Sequence, residues 1–484
     1  MSNVVWFQDV NSEDVDLVGG KNASLGEMIN EMNVPIPPGF ATTSEAYELF
    51  MEQADIEEEI RNIIESRDVD DVNQLKEAGS RVRELIRNSD IPEELKKDIK
   101  HKYRELGEKL GEEDPNVAVR SSATAEDLPT ASFAGQQETY LNVSGLEDLY
   151  DSIKKCIASL FTDRAIHYRE DKGFDHFKVK LSVGVQEMVN SLSSGVLFTI
   201  DPDSGFEKVV FINGGWGLGE LVVRGDINPD EYVYFKPTHK MIYRELGEKE
   251  KEIVREDGKN VEREVEEERR NEFVLSEDEV EELSEYAIKI EEHYGKSMDI
   301  EWAKDRRNNR LYILQARPET VHSQEDKNLI KTYRLKEQGK VLTRGQSIGR
   351  MIDSGEANVI MDAENIDRFE EGQVLVTDMT DPDWEPIMKK ASAIITEKGG
   401  STSHAAIVSR ELGMPAVVGT GDASSVMETG QNVTVDCTGE DGKVLDGKLG
   451  FEVIEENVEE IPDTETDVMM NISVPGQAFD LGQY

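Results

Sequence analysis

The stretch from Gly399 to Gly413 constrains the fold more tightly than any other part of the chain. Gly399-Gly400 makes a turn, Ser401-Thr402-Ser403 offers helix-capping side chains, and the run from His404 to Leu412 carries a helical pattern that Gly413 stops. Short apolar strands are expected on either side, at Ala393 to Thr396, Ala416 to Val418 and Val433 to Val435, so this part of the chain alternates strand and helix as α/β proteins do. His404 falls in the first turn of the expected helix. Free backbone N–H groups and the positive dipole end favour an anion there, and a neutral imidazole nitrogen is a competent nucleophile near neutral pH. A capped helix whose histidine only packs or meets water has the same local pattern.

At 484 residues the chain is too long for one ordinary core, which predicts two to four domains. Hydrophobic residues make up 37% and recur in short periodic runs, so the chain is globular despite its charge. The 101 acidic residues against 54 basic ones give a net charge of −47, which repels polyanions and excludes nucleic acid as a partner. Acidity spread over the whole chain predicts a surface adapted to high salt, a halophilic trait, with an acidic mesophile as the alternative. Cys156 and Cys437 are far apart and in no metal-type spacing; buried structural thiols in a reducing cytosol are expected. The N-terminus has no basic region followed by a long apolar core, and no apolar run is long enough to span a bilayer, so a cytoplasmic protein with no membrane partner is predicted.

Taken in order, the first motif is Val18-Gly19-Gly20-Lys21-Asn22-Ala23, a glycine turn opening an amphipathic helix that can bring the Lys21 ammonium to a phosphate. Residues 44 to 113 read as scaffold helices. At Val117-Ala118-Val119-Arg120-Ser121-Ser122 an apolar strand delivers Arg120 into a Ser/Ala-rich turn, and Ala131-Ser132-Phe133-Ala134-Gly135-Gln136-Gln137 is a small-residue loop able to close over phosphates. A strand-end arginine paired with Glu126 or Asp127 gives the same pattern without a ligand. Gly214-Gly215-Trp216-Gly217-Leu218-Gly219 lacks the dinucleotide spacing and is not read as a Rossmann turn. Residues 244 to 283, rich in Glu, Lys and Arg, are expected as a solvated helical excursion or loop.

Met298-Asp299-Ile300-Glu301-Trp302-Ala303, a polar turn, and Leu311-Tyr312-Ile313-Leu314-Gln315-Ala316-Arg317-Pro318 predict a hairpin. Alternation puts Asp299 and Glu301 on one face, and likewise Gln315 and Arg317, which suits a Mg²⁺-nucleotide as well as an ordinary solvent-facing hairpin. With Lys21 and Arg120 upstream, the set holds cations for phosphates and hard oxygen donors for magnesium.

From Gly19 to about Asp480 the blocks V-R-S-S-A-T-A-E-D-L-P, S-F-A-G-Q-Q-E-T, N-P-D-E, H-Y-G-K-x-M-D-I-E-W-A, Q-A-R-P-E-T-V and G-G-S-T-S-H-A-A-I-V-S-R-E-L-G-M-P-A-V-V-G resemble, in order and spacing, the PEP-utilising family that contains phosphoenolpyruvate synthase and pyruvate phosphate dikinase. The resemblance implies an α/β and α+β multidomain fold: an ATP-grasp nucleotide domain over 1–325, a joining segment at 326–384, a small swivelling phosphohistidine domain at 385–455, and at 456–484 a linker and the opening of a truncated barrel that binds pyruvate and phosphoenolpyruvate and carries a further catalytic cysteine. It implies that Lys21 and Arg120 bind phosphates, that Glu301 and Gln315 hold Mg²⁺-ATP, that Arg317 neutralises transition-state charge, that His404 carries the phosphoryl group, and that Thr402 is a target for a regulatory kinase.

The implied reaction converts pyruvate, ATP and water to phosphoenolpyruvate, AMP and phosphate, a gluconeogenic step, in a full-length protein expected to be a homo-oligomer. This chain alone is expected to perform only the ATP half-reaction. Orthophosphate as second acceptor, as in pyruvate phosphate dikinase, and a stand-alone phosphocarrier or regulatory ATP-binding module are the alternatives; the rifampicin phosphotransferases share the two modules but insert a further domain.

Overall fold

The computed structural model describes residues 2–67, 72–124, 127–128, 131–132, 139–171, 175–202, 205–256, 259–319, 329–362, 368–381, 384–401, 403–439 and 441–457. They form two compact units: Met1–Asn190 with Arg255–Val261 and Arg307–Arg317, and Ser191–Val254 with Glu262–Arg306 and Pro318–Tyr484.

The first unit is built on a five-stranded sheet in the order Val4–Trp6, Gly39–Thr42, Leu181–Glu187, Val117–Ala123, Thr139–Val143, with every neighbouring pair antiparallel. Six helices between Ser44 and Asp171 supply the apolar stripes that pack with it. Glu93–Leu110 shows how: Leu95, Ile99, Tyr103 and Leu106 recur at helical spacing and are buried, and Gly111 ends the helix at φ 72°. Phe40, Phe50, Ile60, Val82, Ile99, Ile153 and Phe161 belong to one cluster of essentially zero exposure, each worth roughly 1.5–3 kcal/mol of burial. Cys156 is buried in that cluster, its thiol donating to Val119 O at 3.8 Å.

The second unit contains five strands of a six-stranded sheet, antiparallel and in the order Lys240–Glu245, Asp230–Phe235, Val209–Trp216, Ser191–Phe198, Met298–Asp305. Trp302 is fully buried, opposite Gly195, which in turn lies opposite Gly214. A Cβ on Gly214 would stand 2.9 Å from the Trp302 ring, so the glycine makes room for the indole. That is what the glycine cluster near 214 does: both Gly214 and Gly215 lie inside a strand.

Residues 244–283 are largely exposed, as their charge suggests, but they are not only helix and loop. Lys251–Glu256 and Lys259–Glu264 are paired strands, followed by the short helix Glu267–Arg270 and the start of Glu277–Tyr294. Most of the charges are exposed, but a few are buried in pairs. Glu252 is 1% exposed and accepts from Arg263 Nη2 at 2.9 Å and Arg269 Nη1 at 2.8 Å, while Lys249 and Asp230 form an ion pair with no exposure at all.

A closed barrel completes the second unit, in the order Val341–Ile348, Ala416–Val418, Ala393–Thr396, Val374–Thr377, Ile352–Val359, Asn432–Asp436, Asp441–Asp446. Three of its strands arise from the stretch expected as a joining segment, 326–384. The strands expected from the apolar runs at 393, 416 and 433 are all present. Cys437 is buried here and donates to Ala416 O at 3.1 Å. Leu329–Leu335 and Phe451–Asn457, which enter and leave the barrel, pair antiparallel. Residues 458–484, where a linker and the start of a further domain are expected, lie outside the described residues. No helix among the described residues is long and apolar enough to cross a membrane.

Candidate functional site

Lys21 is placed by an interruption in the helix Val15–Asn30, where Gly19 takes the non-helical angles φ 72° and ψ 165°. A Cβ there would meet Ser122 O at 2.3 Å, so glycine lets the turn press on the strand that carries Arg120. The packing is fixed by hydrogen bonds: Asn22 N donates to Ser122 Oγ at 3.3 Å, and Asn22 Nδ2 donates to Ser182 Oγ at 2.9 Å. Arg120 Nη1 donates to Leu314 O at 3.3 Å, and Ser24 Oγ donates to Ala316 O at 3.2 Å.

The Lys21 turn, the Arg120 strand and the strand bearing Gln315 and Arg317 are therefore tied together within the first unit. All four side chains are half-buried. Three cations and an amide on adjoining segments make an arrangement suited to a polyphosphate. The small-residue loop expected to close over phosphates lies outside the described residues from Phe133 to Gln137, as does Glu126.

Glu301 belongs to the second unit. Along Met298–Asp305 burial alternates from Met298 to Trp302, leaving Asp299 and Glu301 half-buried on one face, as the sequence pattern requires.

His404 is the first residue of the helix His404–Leu412, with Ser403 as N-cap accepting from Ala406 N at 3.4 Å and Gly413 closing the helix at φ 65°. The turn before it is held from the far end of the helix, where Arg410 Nη1 donates to Ser401 O. His404 is half-buried above the buried Ala405 and Ala406. Thr380 Oγ1 lies 3.0 Å from its Nδ1. If Nδ1 carries the proton and donates to that hydroxyl, the nucleophilic lone pair is on Nε2.

Sequence reasoning missed Thr380; the only signal it offers is the polar run Thr377-Asp378-Met379-Thr380-Asp381 after an apolar strand. Thr402 lies outside the described residues. Among the described residues no cluster of three or more His, Cys, Asp or Glu side chains forms a metal cage.

The chain matches the family model described as pyruvate phosphate dikinase, AMP/ATP-binding domain over residues 15–337, and the PEP-utilising enzyme, mobile domain over 369–439. It is 50% identical to a phosphoenolpyruvate synthase of Aquifex aeolicus across 98% of this chain and 58% of that protein. It is also 50% identical to the phosphoenolpyruvate synthase of Escherichia coli across 99% and 62% of the two, and 46% identical to a probable phosphoenolpyruvate synthase of Pyrococcus abyssi across 90% and 57%. The chain thus spans about three fifths of the length of these relatives. A multidomain α/β chain with a nucleotide-binding part followed by a mobile-domain barrel, matched by that model over most of its length, belongs to the pyruvate phosphate dikinase AMP/ATP-binding family.

Proposed function

We propose that this chain carries out the ATP-dependent phosphorylation of His404, the first half of a phosphoenolpyruvate synthase reaction. His404 Nε2 attacks the β-phosphorus of ATP, the bond to the α-phosphate oxygen breaks, and AMP leaves. Water then removes the γ-phosphate as orthophosphate, and the β-phosphoryl group stays on the imidazole for transfer to pyruvate. The observation that carries this reading is the Thr380–His404 contact at a helix N-terminus, which engages Nδ1 and so assigns attack to Nε2, where backbone N–H groups favour an anion.

In this reading Lys21 and Arg120 bind the ATP phosphates, and Arg317 offsets charge developing in transfer. Glu301 and Gln315 offer a carboxylate and an amide oxygen, the hard donors that suit Mg²⁺, which keeps most of its coordination for water and phosphate and needs no all-protein cage. When bound, the ion neutralises polyphosphate charge. Pyruvate as final acceptor, a barrel domain that binds it, a homo-oligomeric full-length protein, a cytoplasmic location and regulation through Thr402 belong to the same proposal. Water rather than orthophosphate as second acceptor is supported by the likeness to the phosphoenolpyruvate synthases above.

The test is to incubate the chain with Mg²⁺ and ATP labelled at the β-phosphate. Acid-labile, base-stable label should appear on the protein with release of AMP, and His404→Ala should abolish it. Label that persists in that variant refutes the assignment.

A further inference from the structure

Within the second unit, the loop before His404 is seated on the segment Gly225–Glu231. Ser401 Oγ donates to Glu231 Oε1 at 3.0 Å, and Gln346 Nε2, from the first barrel strand, donates to the same oxygen at 3.4 Å. Gly225, at φ 73°, is so close to the capping residue that a Cβ on it would stand 2.2 Å from Ser403 Cβ, and a Cβ on Gly400 would stand 3.6 Å from Pro229 Cδ. Glu231 closes the N-P-D-E stretch, to which the proposed chemistry assigns no role.

Strand register adds a second observation. Glu301 lies opposite Val196, Val196 opposite Asn213, and Asn213 opposite Glu231. Residues directly opposite one another project from the same face of a sheet, so Glu231 and Glu301 end one transverse row. Three strand spacings separate them, about 14 Å of backbone at ~4.8 Å each.

The neighbouring Asp230 points to the other face, where it accepts from Gly247 N at 2.9 Å and Val274 N at 2.8 Å and pairs with buried Lys249. That anchorage fixes the strand from which Glu231 projects, and Ser401, its partner, has no exposure.

We propose that Glu231 is a latch that holds the His404 loop against the sheet face bearing Glu301, and so positions the histidine to accept a phosphoryl group. It is a positioning residue that does not touch the reacting atoms. Ser401 and Gln346 are neutral donors, and a hydrogen bond to a charged acceptor shifts such an equilibrium by on the order of ten-fold. This role rests on the reading of His404 as the phosphoryl acceptor.

The experiment uses the full chain with Glu231→Ala, which removes the acceptor, and Glu231→Gln, which keeps one acceptor oxygen. Amide hydrogen exchange of residues 399–403 without nucleotide reports the seating, and single-turnover labelling of His404 over a range of ATP concentrations reports the consequence. E231A should raise exchange and lower the maximal labelling rate, each by on the order of ten-fold, with half-saturating ATP unchanged, and E231Q should restore most of both. Wild-type exchange or a wild-type maximal rate in E231A overturns the proposal. If E231A does not fold, Ser401→Ala removes the other end of the same bond and carries the same expectation. If the wild-type chain takes no label, the reading of His404 fails and the latch is judged by exchange alone.

Discussion

Thr380 Oγ1 stands 3.0 Å from His404 Nδ1, joining the loop after one barrel strand to the first residue of the helix that follows the next. Thr380→Val keeps the shape and removes the hydroxyl, so the ring loses a hydrogen bond that holds its orientation. His404 labelling should slow roughly 10- to 100-fold, in line with about 1.5–3 kcal/mol for a hydrogen bond that charges as the ring reacts. Thr380→Ser should retain most of the rate, and quench-flow measurement of the phosphorylated chain checks both.

Gly19 has no room for a side chain and takes a backbone conformation that L residues avoid. Gly19→Ala should lower stability by about 1–3 kcal/mol and displace the Lys21 turn. ATP affinity, followed by calorimetry, should fall with it, whereas an alanine at Gly111, around which there is open space, should leave ATP binding intact.

Arg120 reaches Leu314 O through a planar guanidinium that a lysine cannot imitate. Arg120→Lys should keep the charge but weaken ATP binding roughly ten-fold or more, through the lost fork geometry. Unchanged binding in that variant would count against a phosphate role.

Burial pushes the Glu252 carboxyl up, but hydrogen bonds and charge from Arg269 and Arg263 overcome it and hold the group below the usual carboxylate value. A depressed carboxylate contributes stability that is present above the unfolded value, about 4.3 for glutamate, and is lost as pH falls through the folded value. Glu252→Gln should therefore cost about 1–3 kcal/mol at neutral pH and progressively less below pH ~4. Denaturant titrations at a series of pH values measure this.

A net charge of −47 sets up self-repulsion that salt screens. Melting temperature should rise steeply between dilute buffer and molar KCl if the acidity is an adaptation to salt. A flat profile would assign the charge to other causes.

What the sequence made legible was local. The Gly-Gly turn, the Ser403 cap, the glycine stop and the alternation at Asp299 and Glu301 all follow from rules that act within a few residues. The barrel strands before residue 384 were hidden because their partners are distant: Val341–Ile348 pairs with Ala416–Val418 and Asp441–Asp446. Ile352–Val359 reads I-D-S-G-E-A-N-V, with no apolar run to announce a strand. Likewise Glu252 looks solvent-seeking until Arg263 and Arg269 are folded onto it. Glu231 and Thr380 were overlooked because each matters through a residue well away in sequence, Ser401 in one case and His404 in the other.

The ribbon formed by Leu329–Leu335 and Phe451–Asn457 runs in unbroken register from Leu329 opposite Asn457 to Leu335 opposite Phe451, some 20 Å at about 3.3 Å per residue. Both chain connections to the barrel therefore leave it side by side, like the two wires of one cable. If such a module turns, its incoming and outgoing chains twist together, with no need for one to lengthen as the other slackens. It also has the topology of a cassette: everything between residues 336 and 450 is bracketed by a single crossing point, which is where a graft of a different module would be joined.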